Sequence, residues 1–188
     1  MQKRLAEILD YLDVGRARLL ESVAHVDSAF GEIRPREDAW SVAQILAHIA
    51  SVDASVANLV SRSVAWGKEN GVGPETSDES VLSTMDSQSV VDINRPLAAP
   101  ERLVPPADST MDGALKSLVD SRQMLNDAFA TGDGMDLSAI FRPHRIFGEL
   151  NLYQWGIFVT QHEERHRRQI ERTLRELAES TTESAPIC

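Results

Sequence analysis

The sequence predicts an all-α fold, a four-helix bundle with a long connection between helices two and three. Three observations carry that expectation. Four segments repeat apolar residues at helical spacing. No segment alternates apolar and polar residues in the manner of a strand ladder. A proline-rich stretch of about 40 residues separates the middle pair of helices. With 188 residues, 42% apolar and 26% charged, the chain has the balance of one globular domain with a sizeable core. That domain is expected over residues 1–180, with 181–188 as a flexible acidic tail rich in Ser and Thr.

The first helix is expected over residues 2–28, where Leu5, Ile8, Leu9, Leu12, Leu19, Val23 and Val26 form one stripe. The second starts at Ser41, whose pairing with Gln44 three residues later is a capping-box pattern, and runs to Trp66. The polar, Gly-rich stretch 67–80 breaks it. A short helix is expected over 78–87, then extended chain to Asp108 through Pro96, Pro100, Pro105 and Pro106. The third long helix follows, capped by Ser109 with Asp112, and "TGDGMD" ends it. The loop "FRPHRIFGEL" leads to Asn151, the expected cap of a last helix over 152–179.

Net charge is −10 and the pI is near 4.9, which disfavours nucleic acid as a partner because a phosphate backbone is repelled at long range. The densest basic cluster, Arg165, Arg167, Arg168 and Arg172, is interleaved with Glu163, Glu164 and Glu171. It reads as a solvated helix face with i,i+4 pairs. No apolar run approaches bilayer length and the N-terminus lacks signal-peptide features, so no membrane partner is expected and the location is taken as cytoplasmic. The single cysteine, Cys188, is terminal, so any thiol chemistry needs a thiol from a substrate.

Candidate chemistry lies in histidines. "TQHEERHRRQI" places His162 and His166 four apart, on or beside the arc of Trp155, Val159, Ile170 and Leu177, so both face the core. On the second helix His48 lies at the edge of the stripe Ile45, Ile49, Val52, Val56 and Leu59. Inward side chains of facing helices can converge on one ion. A single inward histidine, by contrast, is more often a core residue bonded to a carbonyl or carboxylate. His25 reads as surface, and His144 as a loop residue, structural or at the mouth of a site. Three imidazoles suit Zn²⁺, Ni²⁺, Fe²⁺ or Cu²⁺, zinc and nickel being placed first, and would leave a position open for water or substrate.

Two blocks, "AWSVAQILAHIA" (39–50) and "FRPHRIFGELNLYQWGIFVTQHEERHRRQI" (141–170), resemble the DinB-like metal-binding four-helix-bundle superfamily. Trp40, Ser41 and His48 match its first block. Gly148, His162, His166, Gln169 and Ile170 match its second, with the H-x-x-x-H-x-x-Q-I pattern. The resemblance implies one divalent transition metal ion held by His48, His162 and His166. It also implies a small-molecule substrate and a low-molecular-weight thiol, such as bacillithiol, mycothiol or glutathione, as cosubstrate. The chain departs from the common loop pattern of His-Pro before the glycine, having Pro143-His144 instead.

The function expected is therefore a metal-dependent enzyme, a thiol S-transferase or a related lyase or hydrolase. Two alternatives stand beside it. One is a non-catalytic metal-binding or structural bundle, with a homodimer formed through one bundle face. The other takes "HEERH" literally as the H-E-x-x-H of a metallopeptidase, with Glu163 as general base.

Overall fold

The computed structural model describes residues 1–95 and 97–183. Pro96, and residues 184–188 of the expected tail with Cys188, lie outside the described residues.

The four long helices are α1 (Lys3–Val23), α3 (Val42–Glu69), α5 (Met111–Ala130) and α6 (Leu152–Glu183). The short helices are α2 (Ser28–Gly31) and α4 (Ser87–Val91). Each long helix buries the stripe its spacing dictates: Leu5, Ile8, Leu12, Leu19 and Val23 on α1, Ile45, Ile49, Val52 and Val56 on α3. α3 packs on α5 and α1 on α6, with α3 also meeting α6. The α1–α6 approach is close because Gly15 and Gly156 leave room: a Cβ on either would lie 2.6 Å from a methyl group of Thr160 or Ile8 respectively.

Helix ends follow local hydrogen-bond chemistry. Ser41 caps α3 in a complete capping box with Gln44, its Oγ accepting from the Gln44 amide while Gln44 Oε1 accepts from the Ser41 amide. Asn151 and Gln154 make the same reciprocal pair at the start of α6. α5 differs from expectation. Its cap is Thr110, which accepts from the Gly113 amide, while Ser109 donates instead to the Pro106 carbonyl. Both hydroxyls are competent caps, and the turn at Pro106 decides between them.

The connection between α3 and α5 holds a 3-10 turn at Leu82–Thr84, then α4, then a second 3-10 turn at Glu101–Leu103. Helix here starts later than the expected 78–87. The part from Leu82 to Arg95 lies along α6, tied down by Gln154 Nε2 donating to Thr84 O and by Arg165, which donates to the carbonyls of Val90, Asp92 and Arg95.

Two further differences are informative. The expectation of no strand is corrected by a hairpin, β1 (Phe141–His144) antiparallel to β2 (Gly148–Asn151), with His144 opposite Gly148 at its turn. Strands of four residues carry too little alternation to register, and Gly148 supplies the positive φ of 74° that the turn needs. α3 is also long and apolar enough to span a bilayer by length and composition, against the expectation that no segment approaches this. Its apolar window is 67% buried among the other helices, which accounts for its composition.

The core has two apolar clusters. One surrounds Ile8, Leu12, Val60, Phe129 and Tyr153, the other Leu19, Ile45, Leu118 and Ile170. Arg16, Asp53, Arg122 and Glu163, one from each long helix, are buried at the level between them. Arg16 donates to Asp53 Oδ2 at 2.8 Å and Glu163 Oε1 at 2.5 Å, and Arg122 to the same oxygens at 3.1 and 2.7 Å. The guanidiniums also reach Leu118 O and Leu12 O. The quartet is neutral in sum. Burial pushes both carboxyl groups up, against the pull of the two guanidiniums.

Candidate metal centre

The capping box at Ser41 fixes where α3 begins, and His48 follows two turns later on the buried side. Trp40, just before the cap, rests against the His48 ring with centroids 5.0 Å apart. α6 brings His162 and His166 to the same place one turn apart. His48 Nε2 lies 3.3 Å from His162 Nε2, and His166 Nε2 lies 3.0 Å from that same atom. The structure thus brings together all three histidines singled out from the sequence, with one ligand atom of each within 4.8 Å of the others.

The outer nitrogens show which face of each ring is free. His48 Nδ1 is 2.7 Å from the Leu103 carbonyl, which can only accept, so the proton is on Nδ1 and Nε2 carries a lone pair. His166 Nδ1 donates to Gln169 Oε1 at 2.8 Å, leaving its Nε2 likewise bare. Two lone pairs therefore face His162 Nε2, which has at most one proton to offer. His162 Nδ1 is buried with no partner among the described residues. A cation among the three Nε2 atoms satisfies those three nitrogens at once. Metal–nitrogen bonds of about 2.0 Å at tetrahedral angles separate their nitrogens by about 3.3 Å, close to the two spacings from His162 Nε2, and all three ligand atoms lie within 4.8 Å of one another. The residues fit a metal ion.

The electrostatics agree with that donor set. Burial, reinforced by the neighbouring histidines, holds His162 well below the usual imidazole range. Burial and then His48 bring His166 down to about 3, and burial lowers His48. All three are neutral imidazoles at physiological pH, the form that binds metal.

These histidines line a cavity of about 1050 Å³ between α3, α6, the α3–α5 connection and the hairpin. His144 also lines it, as a residue at the mouth and outside the triad. Its Nδ1 accepts from the Ile146 and Phe147 amides, both at 3.2 Å, so its proton is on Nε2. Phe147, Trp155 and Phe158 surround the ring at centroid distances of 4.8, 5.2 and 4.5 Å. Burial, followed by the adjacent Arg145 charge, brings His144 down to about 4. His25 is exposed, as expected.

Glu163 corrects two expectations. It is fully buried rather than part of a solvated face, and Arg16 and Arg122 hold one of its oxygens within the core. It does not line the cavity, so it has no access to a group bound at the histidines. Arg165 departs from the solvated face in the same way, being buried against three carbonyls of the connection. The expected i,i+4 pairing is realised by Arg168 on Glu164 and Arg167 on Glu171, and Arg167 adds an i,i+3 pair with Glu164.

Sequence reasoning missed Arg16, Asp53 and Arg122. The signal was present: they stand four residues after Leu12, Ile49 and Leu118, each on a buried stripe, as Glu163 does after Val159.

No curated protein matches this chain. It is similar in fold to the crystal structure of TT2238, described as a four-helix bundle protein. The TM-score is 0.59 at 21% identity, over 89% of this chain and 98% of that one. The family model of the DinB superfamily matches residues 11–170, a span that contains the capping box, the hairpin and all three converging histidines. The chain belongs to the DinB superfamily.

Proposed function

We propose that the chain is a metal-dependent enzyme, a thiol S-transferase or related lyase or hydrolase, that holds one divalent transition metal ion, zinc or nickel, on Nε2 of His48, His162 and His166. When bound, such an ion lowers the pKa of a coordinated thiol or water and so supplies a nucleophile at neutral pH. The single observation that carries the proposal is the convergence of three neutral imidazole nitrogens, two with lone pairs fixed inward by Leu103 O and Gln169.

The chain's own residues then divide the remaining work. Leu103 O and Gln169 fix ring orientation and tautomer, the part outer partners play around metal-bound histidines. Trp155 and Phe158 give the cavity an apolar wall that limits water. His144 offers a neutral N–H to the cavity at physiological pH, suited to orienting a polar group of the substrate. The thiol comes from a low-molecular-weight cosubstrate. The net charge of −10 supports a small molecule rather than nucleic acid as the partner. The metallopeptidase alternative has no support from Glu163, whose carboxylate is committed to Arg16 and Arg122.

The test is elemental analysis of protein purified without a metal-affinity tag, wild type beside His48→Ala, followed by thiol consumption with a panel of electrophiles. About one ion per chain, lost in the variant, with thiol-dependent turnover is the expected result. Metal without turnover would leave a non-catalytic metal-binding bundle. Absence of metal after reconstitution overturns the proposal.

A further inference from the structure

The cavity wall is charged against the character of the chain. The whole protein carries −10, yet among the described residues six arginines line the cavity and only two carboxylates, Asp38 and Glu176. Both carboxylates are taken by one of the six: Arg36 bonds Asp38 at 2.9 Å and Glu176 at 2.5 Å. They also sit toward one end, where the C-terminal part of α6 passes the segment before α3.

The other end is formed by the hairpin, the connection and the C-terminal half of α3, and its wall holds no carboxylate among the described residues. Arg62 and Arg102, the latter beside the Leu103 that bonds His48, also line the cavity, are exposed and have no bonded partner among the described residues. Arg145, at the hairpin turn, donates to the Ala98 carbonyl and has no carboxylate partner among the described residues. His144 adds a neutral N–H beside them. Its ring rests on Phe158, one turn of α6 before His162.

A concave, partly apolar site lined by charge of one sign concentrates ligands of the other. Unpaired guanidiniums match the planar, multi-oxygen geometry of carboxylate and phosphate.

We infer that the ligand of this cavity is an anionic small molecule, whose carboxylate or phosphate group is held by Arg62, Arg102 and Arg145 while its other end reaches His48, His162 and His166. The inference rests on the function proposed above only in taking the cavity as the substrate site, and it does not need the ion. It also narrows the choice of cosubstrate to thiols carrying negative charge.

The test is an NMR titration of ¹⁵N-labelled full-length protein, with and without added zinc. The probes are succinate, inorganic phosphate, mercaptosuccinate and the neutral thiol 2-mercaptoethanol. Succinate or phosphate should shift amides of 97–103 and 142–148, and whichever binds more tightly identifies the anion the site prefers. Binding should weaken with added salt. In R62Q/R102Q it should weaken by about tenfold or more, with thermal unfolding unchanged because neither side chain is bonded in the fold. Anions that shift nothing, or that bind the double variant as they bind wild type, overturn the inference. The zinc arm is read separately. If mercaptosuccinate gains nothing over succinate when zinc is present, the thiol-activating function fails while the anion site stands.

Discussion

His162 and Glu163 are neighbours in the chain but belong to different compartments of the bundle. The His162 imidazole lines the cavity, with its Nε2 3.3 and 3.0 Å from those of His48 and His166. The Glu163 carboxylate lies in the core, 2.5 Å from Arg16 and 2.7 Å from Arg122. A rotation of about 100° between successive helical residues is enough to separate a site from a structural ion cluster. Glu163→Gln should therefore leave metal content unchanged. It should lower stability by about 3–5 kcal/mol, because one partner is removed from a buried ion cluster and charge is left uncompensated. Urea unfolding beside elemental analysis checks both. Loss of metal with unchanged stability would reverse the assignment.

The outer partners of the triad offer a finer probe than the ligands themselves. Gln169→Ala removes the acceptor that fixes the His166 tautomer while keeping all three imidazoles. Metal affinity should fall by roughly 10–100-fold, the usual cost of losing such a partner. Competition with a chromophoric chelator measures it. An unchanged affinity would mean that the ring is oriented by packing alone.

His144 gives a pH signature. Its folded pKa, brought down to about 4, lies below the ordinary value of 6.5, so between those limits the unfolded chain binds the extra proton. Stability from this group is complete above about pH 6.5 and is lost as pH falls toward 4. In His144→Gln the acid-side slope over that window should be shallower than in wild type. Chemical denaturation at a series of pH values gives the comparison, and parallel slopes would count against the burial of the ring.

Arg165 joins α6 to the connection through the carbonyls of Val90, Asp92 and Arg95. Arg165→Met keeps much of the side-chain volume but removes those donors. Amide exchange over 90–95 should accelerate, with a global loss of about 1–3 kcal/mol for carbonyls left unsatisfied. Exchange that accelerates equally in α1 and α5 would show instead that the whole bundle had loosened.

What could be read before folding and what could not follow from range. The Ser41 capping box and the Asn151 cap were legible because each is a local bond between residues three apart; that Gln154 completes a reciprocal pair with Asn151 came from the structure. The Thr110 cap was displaced from its expected neighbour because the choice depends on a turn at Pro106 that local pattern does not show. The hairpin at 141–151 was illegible because its strands are too short to express a period.

The amino-acid sequence by itself determined four amphipathic helices, their principal caps and the inward placement of His48, His162 and His166, since helical spacing alone assigns a residue to a stripe. Only the tertiary structure decided that three inward nitrogens share one point and that Glu163 does not. It also decided that Arg16, Asp53 and Arg122 close a neutral cluster with Glu163, and that arginines scattered from 36 to 172 line one cavity of an acidic protein. Periodicity says which side of a helix is buried. Which residues from other helices meet it there depends on how the helices pack, and no short-range pattern contains that.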